Sequence, residues 1–163
     1  MAQGDMFLKI EGAKQGPIKG ESQDRDHAGE IDVKSWSWGM EGDNVHVSGQ
    51  KAITTVHELG VLKGIDSAST ALMASLRNNE PLKKVVLSVR KAGGVAPIEY
   101  LKITLEKARL TYMNLASGET GAPEEVNEEL RFAFTTITIE YQPQGADGLP
   151  RGAMAFVTEI PEG

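Results

Sequence analysis

Apolar residues recur at every second position through most of this chain, and in three places the phase of that recurrence slips by one residue. Ile31 and Val33 set one phase, and Trp36 and Trp38 follow in the other. Leu101, Ile103 and Leu105 give way to Ala108, Leu110 and Tyr112, and Leu130, Phe132 and Phe134 give way to Ile137, Ile139 and Tyr141. Period two is the signature of a strand with one buried face. In a flat sheet a slip of one residue would turn half of those side chains into water, whereas a bulge or bend at a corner keeps them on the same side. Strands buried on both faces would also blur the alternation. The polar residues change phase as well, with Asp32 and Lys34 giving way to Ser35 and Ser37, and this favours bends. Repeated corners predict a closed or nearly closed barrel.

The remaining pattern agrees. Met6, Leu8 and Ile10 alternate with Phe7 and Lys9 in a first strand ending at Glu11 and Gly12. Val85, Leu87 and Val89 alternate up to Ala92-Gly93-Gly94, a hairpin turn from which the strand of Leu101, Ile103 and Leu105 returns. Helical spacing occurs once, over residues 66–78. There Asp66 is placed to cap free amides, Ala68, Leu72 and Leu76 recur four apart, and Asn78, Asn79 and Pro81 close the element. The expectation is a mainly β fold, a small β-barrel of two packed sheets with one flanking α-helix, in a single domain spanning 1–163. At 163 residues, 40% apolar and 25% charged, such a domain buries roughly 70% of its unfolded surface.

A net charge of −6 with a sequence pI near 5.1, and no cluster of Lys or Arg, argues against nucleic acid as the main partner. Without cysteine the fold uses no disulfide and no thiolate metal site, so it passes between reducing and oxidising compartments unchanged. The first residues, MAQGDMFLKIEG, hold no basic stretch followed by an apolar run, and no segment approaches the roughly 20 apolar residues of a membrane span. The expected location is therefore cytoplasmic at first, with any export by a route other than the general secretory one and no membrane insertion.

Motifs that would carry chemistry are incomplete. Gly20-Glu21-Ser22 begins like a nucleophile elbow, but Asp24 stands where the second glycine is needed. Asp24 and Asp26 have the spacing of a calcium loop, yet Ala28 and Ser35 occupy ligand positions, so these are read as solvated loop charges. His57-Glu58 lacks a second histidine at Val61, and His27, His46 and His57 are read as loop or edge residues. Gly12, Gly16 and Gly20 precede no helix and no Lys-Ser/Thr, and are turn glycines. Glu119, Glu124 and Glu125 surround Pro123 in a segment with nothing apolar to raise a carboxyl pKa. No catalytic, metal or cofactor site is expected.

Residues 19–39, KGESQDRDHAGEIDVKSWSWG, place a charged loop directly before both tryptophans of the chain. On a strand the indoles of Trp36 and Trp38 share one face, with Ser35 and Ser37 on the other. This segment resembles the Hcp proteins, the tube-forming subunits of type VI secretion systems. The likeness extends through Met6-Phe7-Leu8-Lys9-Ile10, Glu30-Ile31-Asp32-Val33, Asp66, Ser69 and Leu72, Arg90-Lys91-Ala92-Gly93-Gly94, Glu99-Tyr100-Leu101, Phe132, Phe134, Tyr141-Gln142-Pro143-Gln144 and Asp147-Gly148. It is less distinctive from Glu41 to Lys51 and after Pro150.

The resemblance implies a non-enzymatic β-barrel that closes into six-membered rings. The rings stack into a hollow tube inside a contractile sheath, on a baseplate and behind a spike, carry small effector proteins in the lumen, and are secreted. Trp36, Trp38, Phe132, Phe134 and Tyr141 are then expected in the core, and Ser35 and Ser37 on the lumen. Val45 and Val47, apolar and alternating between Gly42 and Gly49, are expected to contact a neighbouring ring or subunit. The competing readings are a stand-alone carbohydrate-binding or hydrolytic β-domain using the indole pair and the acidic loop, and a phage-like tail-tube subunit.

Overall fold

The computed structural model describes residues 5–43, 53–91, 98–118, 122–143 and 152–161. Ten strands and one helix follow in order: β1 Met6–Gly12, β2 Gly16–Ile18, β3 Ile31–Ser37, β4 Met40–Gly42, β5 Thr54–Val56, β6 Leu59–Gly64, α1 Ser69–Arg77, β7 Leu82–Arg90, β8 Glu99–Ser117, β9 Val126–Tyr141 and β10 Met154–Glu159. Six of the strands, in the order β9-β6-β3-β1-β7-β8, close into a barrel because β8 pairs back onto β9. All the pairings are antiparallel. The small β-barrel with one flanking helix expected from sequence is thus present, its wall a sheet closed on itself. The cause is length: β8 and β9 run for 19 and 16 residues, enough to bend and serve two sides of the barrel. A separate two-stranded sheet is formed by β4 and β5.

The phase slips lie at distortions of the sheet. In β3 the register shifts between Val33 and Ser35. In β8 and β9 the ladder runs through Glu106↔Thr136, skips one pair, and resumes at Ala108↔Phe134. β7 skips at the same level, since Leu82↔Ala108 is followed by Lys84↔Glu106. Lys83, Lys107 and Thr135 thus mark a crease across three strands. Lys107 sits at φ 48, in the left-handed region, and its carbonyl accepts a hydrogen bond from the Thr135 hydroxyl at 3.3 Å. Leu82 and Val85, Leu105 and Ala108, and Phe134 and Ile137 straddle the crease, and all six are buried. A second shift, between Leu110 and Tyr112, puts Thr111 out of the ladder.

The barrel is filled by Leu8, Ile10, Ile31, Val33, Leu59, Val61, Leu87, Ile103, Leu105, Leu110, Leu130, Phe132 and Ile137, with Ala68 and Leu72 contributed by the helix. The helix is shorter than expected. Asp66 is not its cap: the Asp66 carboxylate accepts the Ala68 amide at 2.9 Å, ordering the turn ahead of α1, while Ala68 holds the cap position without a side-chain bond. At the other end Asn79 takes φ 51 and Glu80 folds back to accept the amides of Lys14 and Gln15, both at 3.0 Å. This fastens the β1–β2 hairpin, where Gly16 supplies φ 70.

Candidate assembly surface

Four of the nine exposed large hydrophobic side chains among the described residues lie on β9 and β10, and they are there because of how β9 divides its two neighbours. Its first half pairs with β6, from Gly64↔Asn127 to Leu59↔Phe132, and its second half pairs with β10, from Glu159↔Thr136 to Met154↔Tyr141. β6 leaves β9 at Phe132, so β10 takes the free edge and the sheet continues beyond the barrel as a blade. Register places Ile137, Ile139 and Tyr141 of β9 on one face with Thr158, Phe156 and Met154 of β10. Ile137 belongs to the core, but further along Tyr141 is 44% exposed, Phe156 44% and Met154 64%. On the opposite face Val157 is 60% exposed beside Thr138. The blade's end is tied down by the Ile160 amide, which donates to the Thr135 carbonyl at 2.6 Å. No described strand pairs with the outer edge of β10.

This layout corrects the placement of Tyr141 in the core, because the core layer has run out onto the blade where Tyr141 lies. Phe132 and Phe134 are buried, whereas Trp36 and Trp38 are half-buried and rest against the core cluster. The Trp38 indole N–H donates to the His57 carbonyl at 2.9 Å. Neither ring is an open stacking platform. Ser35 and Ser37 are both exposed and border a shallow cleft with Gly60, Leu62 and Glu129. Val45 and Val47 lie outside the described residues, as does the Ala92-Gly93-Gly94 turn.

Two polar clusters hold loops to the barrel wall. His27 is buried: its ring stacks on Phe7 with centroids 4.3 Å apart, and its two nitrogens meet Glu30, at 3.0 Å, and Glu99. A general base must offer one nitrogen to a nucleophile or water. Here both are taken by carboxylates, so the His27 ring offers no free nitrogen to the cleft of about 370 Å³ lined by Lys9, Glu11, Ser88 and Lys102. Asp24 is not solvated loop charge. It takes a two-pronged contact from Arg90, whose guanidinium also lies 4.9 Å from the centre of the Phe7 ring. The hydrogen bond from Arg90 holds the Asp24 carboxyl below its ordinary range. Among the described residues no group of three His, Cys, Asp or Glu side chains is arranged to hold a metal ion.

On the far side of the barrel the cross-strand partners Lys63 and Glu128 are both 0% exposed. The Lys63 ammonium reaches Glu128 at 2.9 Å, Asp66 at 2.9 Å and the Ser69 hydroxyl at 3.2 Å, and Ser69 also contacts Glu128. The cluster joins the start of α1 to β6 and β9.

The chain is thus a closed six-stranded barrel with one flanking helix and an apolar blade. Residues 7–141 match the family described as type VI secretion system effector, Hcp, and the chain belongs to that family. It is 36% identical over 151 residues to the protein hcp1 of Pseudomonas aeruginosa, covering 91% of this chain and 89% of that relative. Its fold superimposes on a type VI secretion system effector from Yersinia pestis with a TM-score of 0.74 and 31% identity, across 96% of this chain and 100% of the other. For Hcp1 from Salmonella typhimurium the TM-score is 0.72 with 30% identity, over 95% and 93% of the two chains. Carbohydrate binding and hydrolysis find no support in the half-buried indoles or the doubly occupied His27 ring.

Proposed function

We propose that this chain is the inner-tube subunit of a type VI secretion system. It closes into six-membered rings that stack, encloses small effector proteins, and leaves the cell with them after assembly in the cytoplasm, driven by a contractile sheath from a baseplate and led by a spike. The observation that carries this reading is the family match over residues 7–141, which takes in all six barrel strands. The barrel supports it. A tube wall needs a rigid unit that keeps its shape under axial load, and a closed sheet with a packed interior deforms little. Ser35 and Ser37 form the lumen wall in this reading, small hydroxyls that stay wetted and leave room for cargo. Negative-stain microscopy and light scattering of the purified protein test the assembly, with six-fold rings expected and a monomer at micromolar concentration ruling it out. Ser37→Arg is expected to leave rings intact and reduce effector co-purification several-fold. Undiminished effector recovery would remove Ser37 from the lumen.

A further inference from the structure

We propose that the β9–β10 blade is the surface by which one copy of this chain grips the next around the ring. The inference rests on the ring reading above and adds the contact that closes it. Single exposed apolar residues are ordinary on a protein surface, but a contiguous group signals a partner. Of the nine large hydrophobic side chains that are exposed among the described residues, four, Tyr141, Met154, Phe156 and Val157, lie on this one blade.

The outer edge of β10 adds to the argument. An unpaired edge is normally protected by charge, proline or a bulge, because open N–H and C=O groups recruit other strands. From Met154 to Thr158 this edge carries none of these, and its first charge is Glu159. A segment of that kind is left bare only if something covers it in use.

Charge identifies the occupant as a second copy. The chain is at −6, so identical copies repel over most of their surface, and they approach most easily where charge is sparse. On β9 and β10 between Thr136 and Tyr141, and between Met154 and Glu159, the only ionic side chains are Glu140 and Glu159. Ring closure is heterologous and needs a second, different face. A second apolar group is present at the β4–β5 hairpin, where Met40 is 50% exposed and Ile53 68%.

The test is light scattering on the full chain, with Phe156→Asp and, separately, Val157→Asp set against Leu115→Asp, which charges an exposed position on the far arm of β8. The wild-type mass decides the ring reading. If wild type is a monomer, that reading fails and the blade proposal falls with it. If wild type forms rings, both blade variants are expected to drop about sixfold in mass with an unchanged far-UV spectrum, while Leu115→Asp keeps the ring mass. Blade variants that stay at ring mass overturn the blade alone. Should a variant fail to fold, amide exchange on wild-type protein gives the answer: at 154–158 it is expected to slow at least tenfold in rings relative to diluted protein, and equal rates overturn the proposal.

Discussion

Lys63 and Glu128 set the cost of error inside this barrel. Both side chains are fully buried, and they are direct cross-strand partners. A slip of one residue between β6 and β9 would therefore separate an ammonium from its carboxylate in a medium where neither finds water. Removing one partner strands the other, so Lys63→Met is expected to cost about 3–5 kcal/mol. Lys63→Met combined with Glu128→Leu is expected to recover part of that loss, because an apolar pair of similar volume needs no desolvation while Asp66 still loses its cation. Urea melts of the two single variants and the double variant measure the coupling; a double loss equal to the sum of the singles would mean that the pair does not act as a unit. Asp24 and Glu80 act in another range. Arg90 lowers the Asp24 carboxyl; for Glu80 burial pushes upward, but the amide and side chain of Gln15 and the amide of Lys14 outweigh it and the carboxyl is lowered too. A carboxyl with a depressed folded-state pKa stabilises the fold above its unfolded pKa of about 4, and that contribution disappears as pH falls through the folded value. Stability measured between about pH 5 and 2 is thus expected to fall less steeply for Asp24→Asn than for wild type, from a lower starting point. An unchanged slope would detach Asp24 from the acid limb. These pairings were hidden in the sequence because each joins residues 65 or more positions apart, and spacing rules see only neighbours along the chain.

The crease across β7, β8 and β9 is the element that turns a long sheet into a barrel, and it is where the sequence was most readable. Apolar phase changes sides at Leu105/Ala108 and Phe134/Ile137, and the ladder skips a pair between them. The slip from Leu82 to Val85 in β7 belongs to the same crease but went unread, since a strand starting at Val85 shows no change of phase. Lys107 carries the local strain. A non-glycine residue at φ 48 in a strand costs about 1–2 kcal/mol against the left-handed region. Lys107→Gly is expected to stabilise the barrel by about 0.5–1 kcal/mol after glycine's own entropy is counted, and Lys107→Val to destabilise it, since a β-branched side chain tolerates that region worst. Thermal unfolding of both checks the sign; a destabilised Lys107→Gly would mean that the lysine side chain contributes more than the backbone strain. β10 escaped the sequence reading altogether. Ala155-Phe156-Val157 presents apolar residues in succession, which fits neither period, because in the blade both faces are open to a partner.

At the scale of the whole molecule, charge has to be reconciled with assembly. In the proposed six-membered ring, copies at −6 would sum to about −36, and two such rings brought face to face would repel over a Debye length of about 8 Å at physiological salt. The barrel meets this with an uneven distribution. Lys83, Lys107 and Arg109 surround a cleft of about 740 Å³ at the crease, floored by Ala108, Ala133 and Phe134, and none of the three has an ion-pair partner among the described residues. Further along the same strands, near one end of the β8–β9 ladder, Glu99 and Glu140 lie beside Lys102, and Glu99 also meets the His27 ring. Where rings stack, opposite charges that meet across the contact would give local attraction inside a net repulsion. Exposed pairs of this kind contribute only about 0–1 kcal/mol each and are screened as readily as the repulsion they oppose. The net charge therefore governs: purified rings are expected to stay single at low salt and modest concentration, and to lengthen into stacks as salt and concentration rise. Sedimentation velocity at about 20 mM and about 500 mM salt, a range over which the Debye length falls several-fold, decides between the two forces. Stacks that shorten as salt rises would show that attraction between opposite charges, and not the total charge, holds one ring on the next.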